Sequence, residues 1–368
     1  MNLKFLFPTL TLLAPTALLS GCTGTVEGGS ATTLTLLTQG GAALQRVDLP
    51  AAASDTPRPV AELGDPVAIE GGVDLHPQQG SRRVLLTRRP ATEERRPDLT
   101  ALNTFEAPPF PVCWQASAVS PGSERYFALS QCEGGPQNVA MYTPDGELRW
   151  WTALPLAAAP LSGTDTPPIR VAVAGDVGVV ARPVLGGGSE MLRVAVTNPG
   201  DERAEYSDPQ PTVAVRDLAT LVSAGGQPTV YAATDAGVFS LTTAGVPDAN
   251  PLPAFGPERY NRLWASEAAV GSAPVLFAWR GEAIQGSLRL PLRVWNGTST
   301  AQDSAQTIDS FNNLRDAAVA DGYLYLLTEN SLYRYDAIIG VRQNSWRLEN
   351  LGVQLRDARA LVRTFAEE

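Results

Sequence analysis

Short stretches of alternating apolar and polar residues, separated by turn residues, run along most of the chain after its N-terminal segment. The clearest unit has a strand pattern at 314–320, an Asp-Gly turn at 321–322, a second strand pattern at 323–328 and a third at 331–336. Valine, leucine, tyrosine and alanine fill these stretches, and a period of two is typical of strands rather than of helices. The pattern predicts an all-β protein.

The same order of strands recurs along the chain. The first strand of each unit begins near Gly71, Trp114, Ile169, Arg216, Leu263, Leu314 and Leu355. The mean step of about 47 residues is typical of a four-stranded β-propeller blade and is too long for a leucine-rich repeat.

The two ends of the chain carry complementary parts of one unit. Residues 355–365 have the pattern of a first strand, whereas residues 33–38 and 43–48 have the pattern of later strands. Joining them completes a blade and leaves no free sheet edge. We therefore predict a seven-bladed β-propeller with four-stranded blades, closed by pairing of the N- and C-terminal strands. An open sandwich or two stacked β domains is the alternative.

Composition supports many turns and excludes several classes of function. Of 368 residues, 33 are glycine and 30 are proline, and the net charge is −10, which argues against a nucleic-acid partner. His76 is the only histidine, so a two-histidine metal site cannot form and a Ser-His-Asp triad would need His76 itself. We interpret His76, which precedes Pro77, as a turn residue. We assign no catalytic residue, no metal site and no cofactor.

The N-terminus has the pattern of an export signal. Lys4 precedes a broken apolar stretch that ends in Leu19-Ser20-Gly21-Cys22, which resembles a bacterial lipobox. We predict a signal peptide at 1–21, lipidation of Cys22, a tether at 22–31 and the propeller at 32–368. An ordinary signal peptide that contains a cysteine is the alternative.

The lipobox resemblance also implies a location. Thr23, rather than aspartate, follows Cys22, and in lipoproteins of two-membrane bacteria this does not signal retention at the inner membrane. We therefore expect membrane attachment through the lipid, at the outer membrane or cell surface rather than at the inner membrane.

Export places Cys113 and Cys132 in an oxidising compartment, where a disulfide persists. A turn centred on Gly122-Ser123 would put the two cysteines opposite each other across one hairpin. We predict a disulfide; two unrelated buried thiols are the alternative.

Two segments, 141–150 and 332–340, look like the strand-Asp-turn-Gly-strand signature of quinoprotein-like propeller blades, and the first also keeps the tryptophan that ends this signature. With the lipobox, they make the chain resemble bacterial lipoproteins with PQQ-like propeller repeats, including the propeller lipoprotein of outer-membrane protein assembly. The resemblance implies a protein-binding or scaffolding role with an envelope protein partner.

An Arg-Asp pair opens three of the first strands, which line the central channel in a propeller. The candidate channel-face binding residues are Arg216, Asp217, Arg315, Asp316, Arg356 and Asp357. Loops expected on the same face contain Asp235, Glu282 and Glu329. A structural network of Arg–Asp pairs between blades is the alternative interpretation.

We expect a binding or scaffolding module. The alternative function is a carboxylate-dependent hydrolase or lyase that acts on an envelope glycan, which needs two nearby carboxyls, one of them with a raised pKa. A purely structural envelope lipoprotein is a third possibility. The arginine-rich segment 82–96 is expected to be a solvated inter-strand loop, or else a partner-docking loop.

Overall fold

The apolar stretches pair as antiparallel neighbours because glycine- and aspartate-containing turns reverse the chain between them. The computed structural model describes residues 32–49, 61–78, 82–157, 165–223, 226–243, 245–266, 270, 273–281 and 288–365. Over these residues the strands form seven sheets, which are the blades of a β-propeller, as predicted. The predicted signal peptide and tether lie outside the described residues.

The blades are numbered from the N-terminus. Blade 1 contains β1 (Thr32–Thr38), β2 (Ala43–Leu49), β3 (Glu62–Leu63) and β4 (Val67–Ala68). Blade 2 contains β5 (Gly72–Gln78), β6 (Arg83–Arg88), β7 (Ala91–Arg95) and β8 (Ala101–Thr104). Blade 3 contains β9 (Trp114–Val119), β10 (Tyr126–Ser130), β11 (Asn138–Tyr142) and β12 (Leu148–Ala153). Blade 4 contains β13 (Arg170–Ala174), β14 (Val177–Pro183), β15 (Ser189–Ala195), β16 (Glu205–Tyr206) and β17 (Gln210–Thr212). Blade 5 contains β18 (Val215–Val222), β19 (Pro228–Thr234) and β20 (Gly237–Ser240). Blade 6 contains β21 (Arg262–Ala265), β22 (Leu276–Trp279), β23 (Leu290–Trp295) and β24 (Gln306–Phe311). Blade 7 contains β25 (Leu314–Ala320), β26 (Tyr323–Thr328), β27 (Leu332–Asp336), helix α1 (Ala337–Gln343) and β28 (Leu348–Asn350).

The last strand of the chain closes the ring. β29 (Ala360–Phe365) pairs with β1 from Thr32 opposite Phe365 to Leu37 opposite Ala360, and it is the innermost strand of blade 1. In the other blades the innermost strand is the first one in sequence. Closure by the N- and C-terminal strands is therefore confirmed.

Buried apolar side chains pack between blades. Within the described part of the chain they form seven clusters, each of which joins two neighbouring blades. Leu361 packs towards blade 7, while Ala360 and Val362 pack towards blade 2. Each blade thus covers the apolar face of the next, and removing one blade would expose two faces.

The inner strands all run in the same direction, which gives the propeller two distinct faces. We call the face at which they begin the upper face; it carries the loop at Asp235 between β19 and β20. We call the face at which they end the lower face; it carries the turn at Asp321 between β25 and β26.

Blade 5 has three strands among the described residues, not the predicted four. The segment after β20 contains Pro247, Pro251 and Pro253, which lack the N–H that a strand ladder needs. It covers the edge of β20 with separate hydrogen bonds instead, from Asp248 N to Ser240 O at 2.9 Å and from Leu252 N to Val238 O at 2.7 Å.

The arginine-rich segment is a strand hairpin, so the expectation of a loop is wrong. β6 and β7 pair directly, and the nearly buried Glu93 forms ion pairs with Arg88 and with Arg95, the latter at 2.7 Å. Glu94, which is also buried, lies 3.4 Å from Arg83. Ion pairs between the two strands and along β7, which sequence composition does not reveal, account for the mixture of arginine and glutamate here.

Deletion of residues 355–368 tests ring closure. It removes β29, which leaves the backbone groups of β1 unpaired and uncovers the apolar faces that Leu361 and Val362 contact. We expect aggregation or protease sensitivity throughout the chain, measured by limited proteolysis and thermal melting. Deletion of 366–368 alone, beyond β29, is the control. A truncated protein that melts at the same temperature as the full chain would contradict closure by β29.

Candidate functional site

The seven inner strands surround a central cavity of about 620 Å³. Near its upper mouth, charged side chains from five blades lie on the wall. We call this set the channel ring: Asp74, Arg170, Asp217, Arg262 and Asp316. At the lower mouth, Asp321 forms an ion pair with Arg363 at 2.6 Å.

A β-bulge at the start of β18 separates the predicted pair Arg216-Asp217. Val215 pairs with Thr234 and Asp217 with Ala233, so Arg216 is the extra residue. Arg216 reaches Asp235 with two hydrogen bonds of 2.8 Å, whereas Asp217 lines the channel. The bond to Asp235 raises the pKa of the Arg216 guanidinium. The bulge therefore gives the two residues different surroundings.

Asp217 connects three blades. Its Oδ1 accepts from Leu218 N at 3.1 Å and lies 3.0 Å from Arg170 Nε of blade 4. Its Oδ2 accepts from Leu263 N at 2.9 Å and from Arg262 Nε at 3.1 Å, both in blade 6. With four donors and little exposure, this carboxylate is a structural joint between blades.

Asp316 repeats this arrangement in blade 7. The bulge at Arg315 precedes it, Oδ1 accepts from Ala317 N and from Trp264 Nε1, and Oδ2 accepts from Leu361 N of β29 at 2.8 Å. Burial raises the pKa of Asp316 to about 6, and the charge of Arg262 opposes this shift. Arg315 lies 3.5 Å from Glu329 on the upper face, as Arg216 lies beside Asp235.

The third predicted pair, Arg356-Asp357, does not open a strand. β29 begins at Ala360 rather than at Leu355, and Asp357 has a φ of +40°, which a strand does not adopt. The carbonyls of Arg356 and Asp357 instead accept hydrogen bonds from Gln39 N and Gly40 N. The prediction of a strand from Leu355 is wrong because these contacts fold the segment onto the loop between β1 and β2.

The upper-face loops lie where they were predicted in the two cases that the structure describes. Asp235 and Glu329 contact Arg216 and Arg315, while Glu282 lies outside the described residues. Asp165 also joins this network, 3.1 Å from Arg216 and 2.8 Å from Arg259.

The predicted disulfide between Cys113 and Cys132 is present. It lies on the upper face of blade 3, where Gln131 N donates to Cys113 O at 3.1 Å, as Asp235 N does to Ala214 O in blade 5. The disulfide therefore links the start of the inner strand of blade 3 to the loop that follows its second strand. In blade 5 the Arg216–Asp235 ion pair links the corresponding two parts of the blade. With a sequence separation of 19, it stabilises the fold by about 3 kcal/mol through the unfolded state.

His76 lies in β5 on the channel wall, not in a turn. Its Nε2 is 2.8 Å from Ser117 Oγ and 3.6 Å from Asp74 Oδ2. Both contacts use the same ring nitrogen, whereas a catalytic triad needs the carboxylate on the other one. Burial lowers the pKa of His76, which favours the neutral imidazole.

Asp74, Arg170, Arg262 and Trp264 were not predicted as site residues. The sequence signal for Asp74 is an aspartate near the start of a first-strand pattern, as at Asp217 and Asp316. In the structure it likewise follows a bulge at the start of an inner strand, and its Oδ1 accepts from Leu75 N at 2.9 Å. Single arginines at the starts of β13 and β21 carry no such local signal.

Two further observations concern the described residues only. They contain no group of three or more histidine, cysteine or acidic side chains that could hold a metal ion. None of their helices is long and apolar enough to span a membrane.

Comparison with known proteins identifies the fold. No protein-family model matches the sequence, and no curated protein matches it. Among solved structures, a putative 6-phosphogluconolactonase from Bacteroides fragilis has a TM-score of 0.59 at 11% identity, over 92% of this chain and 99% of that one. A functionally unknown protein from Desulfotomaculum acetoxidans has a TM-score of 0.56 at 10% identity, over 92% and 100% of the two chains. The Cps50 (Swd1) β-propeller domain of Myceliophteria thermophila has a TM-score of 0.50 at 10% identity, over 78% and 88%. At these identities the likeness establishes the fold alone.

Asp316→Asn tests the raised pKa of this channel carboxylate. The folded pKa of about 6 lies above the unfolded value of about 3.9, so stability attributable to this group is full below pH 3.9 and falls as the pH rises towards 6. We expect the free energy of unfolding of the wild type to decrease over this interval relative to that of the variant, measured by urea denaturation. Asp201→Asn, on an exposed turn, is the control. Parallel pH profiles for wild type and Asp316→Asn would contradict the raised pKa.

Proposed function

We propose that the protein is a lipid-anchored β-propeller of the bacterial cell envelope, at the outer membrane or cell surface, that binds or scaffolds another envelope protein through its upper face. The observation that carries this proposal is the charged, open mouth of the channel on that face. The exposed Arg359 lines this mouth, and Arg356, also exposed, precedes it on the segment that leads into β29. A binding surface of this kind needs accessible charged and polar groups on a rigid support, and the ring of inner strands supplies the support.

The position of the N-terminal strand supports an orientation in which the upper face points away from the membrane. β1 begins at the lower face, where Thr32 Oγ1 donates to Asp321 Oδ2 at 2.9 Å. A lipid on Cys22 would be joined to Thr32 by a tether that reaches at most about 35 Å when fully extended. Because the tether joins the propeller at the lower face, that face would lie within this distance of the membrane, and we expect the upper face to point away from it towards a partner.

The alternative of a carboxylate-dependent glycan hydrolase or lyase has less support. Asp316 has the raised pKa that a general acid needs. However, its two oxygens accept from Trp264 Nε1 and from two backbone N–H groups, so the carboxyl is held as part of the wall. A general acid must instead direct its proton at a substrate.

Cys22→Ala tests the membrane attachment. The thiol is the acyl acceptor, so the variant is expected to lose incorporation of a labelled fatty-acid precursor and to leave the membrane fraction. Cys113→Ala with Cys132→Ala controls for general effects of removing cysteines and should retain the label. A labelled, membrane-bound Cys22→Ala protein would contradict lipidation at this position.

Charge reversal on the upper face tests partner binding. Arg356→Glu combined with Arg359→Glu should reduce the amount of crosslinked envelope partner at least about tenfold. A partner surface with acidic groups facing the two arginines would be attracted by arginine and repelled by glutamate. Arg342→Glu, exposed on helix α1 at the lower face, is the matched control. Thermal melting of all three proteins separates binding from folding. Unchanged crosslinking by the double variant would contradict docking on the upper face.

A further inference from the structure

The arginines of the channel ring present hydrogen-bond donors to the cavity. Arg170 and Arg262 approach Asp217 from opposite sides, each through Nε. Neither Nη of Arg262, nor Nη2 of Arg170, donates a hydrogen bond to any other residue that the structure describes. About a third of the Arg170 side chain and a quarter of that of Arg262 are exposed, on the cavity wall.

The position of Arg262 is fixed before any ligand arrives. Its guanidinium lies 5.0 Å from the ring centre of Trp264, and the Trp264 indole is held in turn by Asp316 through a 2.8 Å hydrogen bond. Arg170 is fixed by Asp217 and by the carbonyl of Arg216 at 3.2 Å. Donors held in place in this way lose little conformational entropy on binding.

The two guanidiniums share their nearest carboxylate, Asp217, whose oxygens are already occupied by four donors. The other two acids of the channel ring, Asp74 and Asp316, balance their charge from other blades, with no hydrogen bond to either guanidinium among the residues that the structure describes. Burial lowers the pKa of Arg170, and the neighbouring charge of Arg262 lowers it further, while Asp217 and the more weakly acting Asp74 oppose both effects. Since arginine stays protonated in proteins, an anion that bridges the two side chains would relieve their repulsion.

We propose that this end of the channel binds a carboxylate group between Arg170 and Arg262. The planar guanidinium matches the two oxygens of a carboxylate. A monoanion suits the site better than a phosphate dianion, because Asp74 and Asp316 add negative charge to the same ring. The carboxylate could come from a chain end of the docked partner or from a small organic acid. The inference deepens the proposed function by naming the chemistry that the channel recognises.

Titration calorimetry of the purified protein with small probes tests this site. N-acetylglycine, which carries the carboxylate, should bind. N-acetylglycinamide should bind at least about tenfold more weakly because it lacks the charge-assisted hydrogen bonds. Inorganic phosphate should bind at least about tenfold more weakly because Asp74 and Asp316 repel its second charge. Equal binding of acid and amide, or tighter binding of phosphate, would overturn the proposal.

A pair of matched variants locates the binding. Arg262→Gln should weaken N-acetylglycine at least about tenfold, whereas Arg363→Gln, the same change at the lower mouth, should leave the affinity unchanged. Equal affinities for Arg262→Gln and the wild type would overturn the assignment. The comparison of acid with amide uses the wild type, so it remains decisive even if Arg262→Gln does not fold.

A final comparison separates the two sources of the carboxylate. A short peptide with a free C-terminus that binds more tightly than N-acetylglycine, and than its own C-terminal amide, identifies a chain end. Equal binding of peptide acid and N-acetylglycine identifies a small organic acid, and either result supports the site. If N-acetylglycine does not bind while the envelope partner still crosslinks, the carboxylate inference falls and the proposed docking function stands.

Discussion

The innermost strand of each blade has no strand neighbour on its channel side, so its backbone N–H groups there need other acceptors. Asp217 and Asp316 meet this requirement twice each. One oxygen accepts from the next residue of the same strand, and the other accepts from Leu263 or Leu361 on the inner strand of the following blade. Blades that share no continuous hydrogen-bonded sheet are thus joined at the axis through carboxylates.

These joints explain the chemistry of the channel. Carboxylates held away from bulk water need cations or hydrogen-bond donors, which Arg170 and Arg262 supply to Asp217 and Trp264 supplies to Asp316. A structural network and a binding surface are therefore not exclusive interpretations. The inner atoms of the arginines hold blades together, and their outer nitrogens face the cavity.

Local pattern was sufficient to predict the blades but not their contacts. Inner strands begin at Gly72, Trp114 and Leu314, at or next to the predicted positions, because alternation and turn chemistry are local. The strand expected from Leu355 fails because its first residues bond to Gln39 and Gly40, at the other end of the chain. In the same way, two of the three Arg-Asp pairs identified channel acids, Asp217 and Asp316. Asp74, and the arginines that balance Asp217 from other blades, were missed.

Asp74 has the same bulge as Asp217 and Asp316 but a different role. Its Oδ1 accepts from Leu75 N, while its Oδ2 lies 3.6 Å from His76 and, among the described residues, accepts no backbone N–H from blade 3. With its side chain 38% exposed and no backbone donor among the described residues of the following blade, Asp74 is open to the cavity. The ring is therefore basic at Arg170 and Arg262 and acidic at Asp74. A ligand that carries a carboxylate at one end and an ammonium or N–H group at the other would be oriented by this asymmetry.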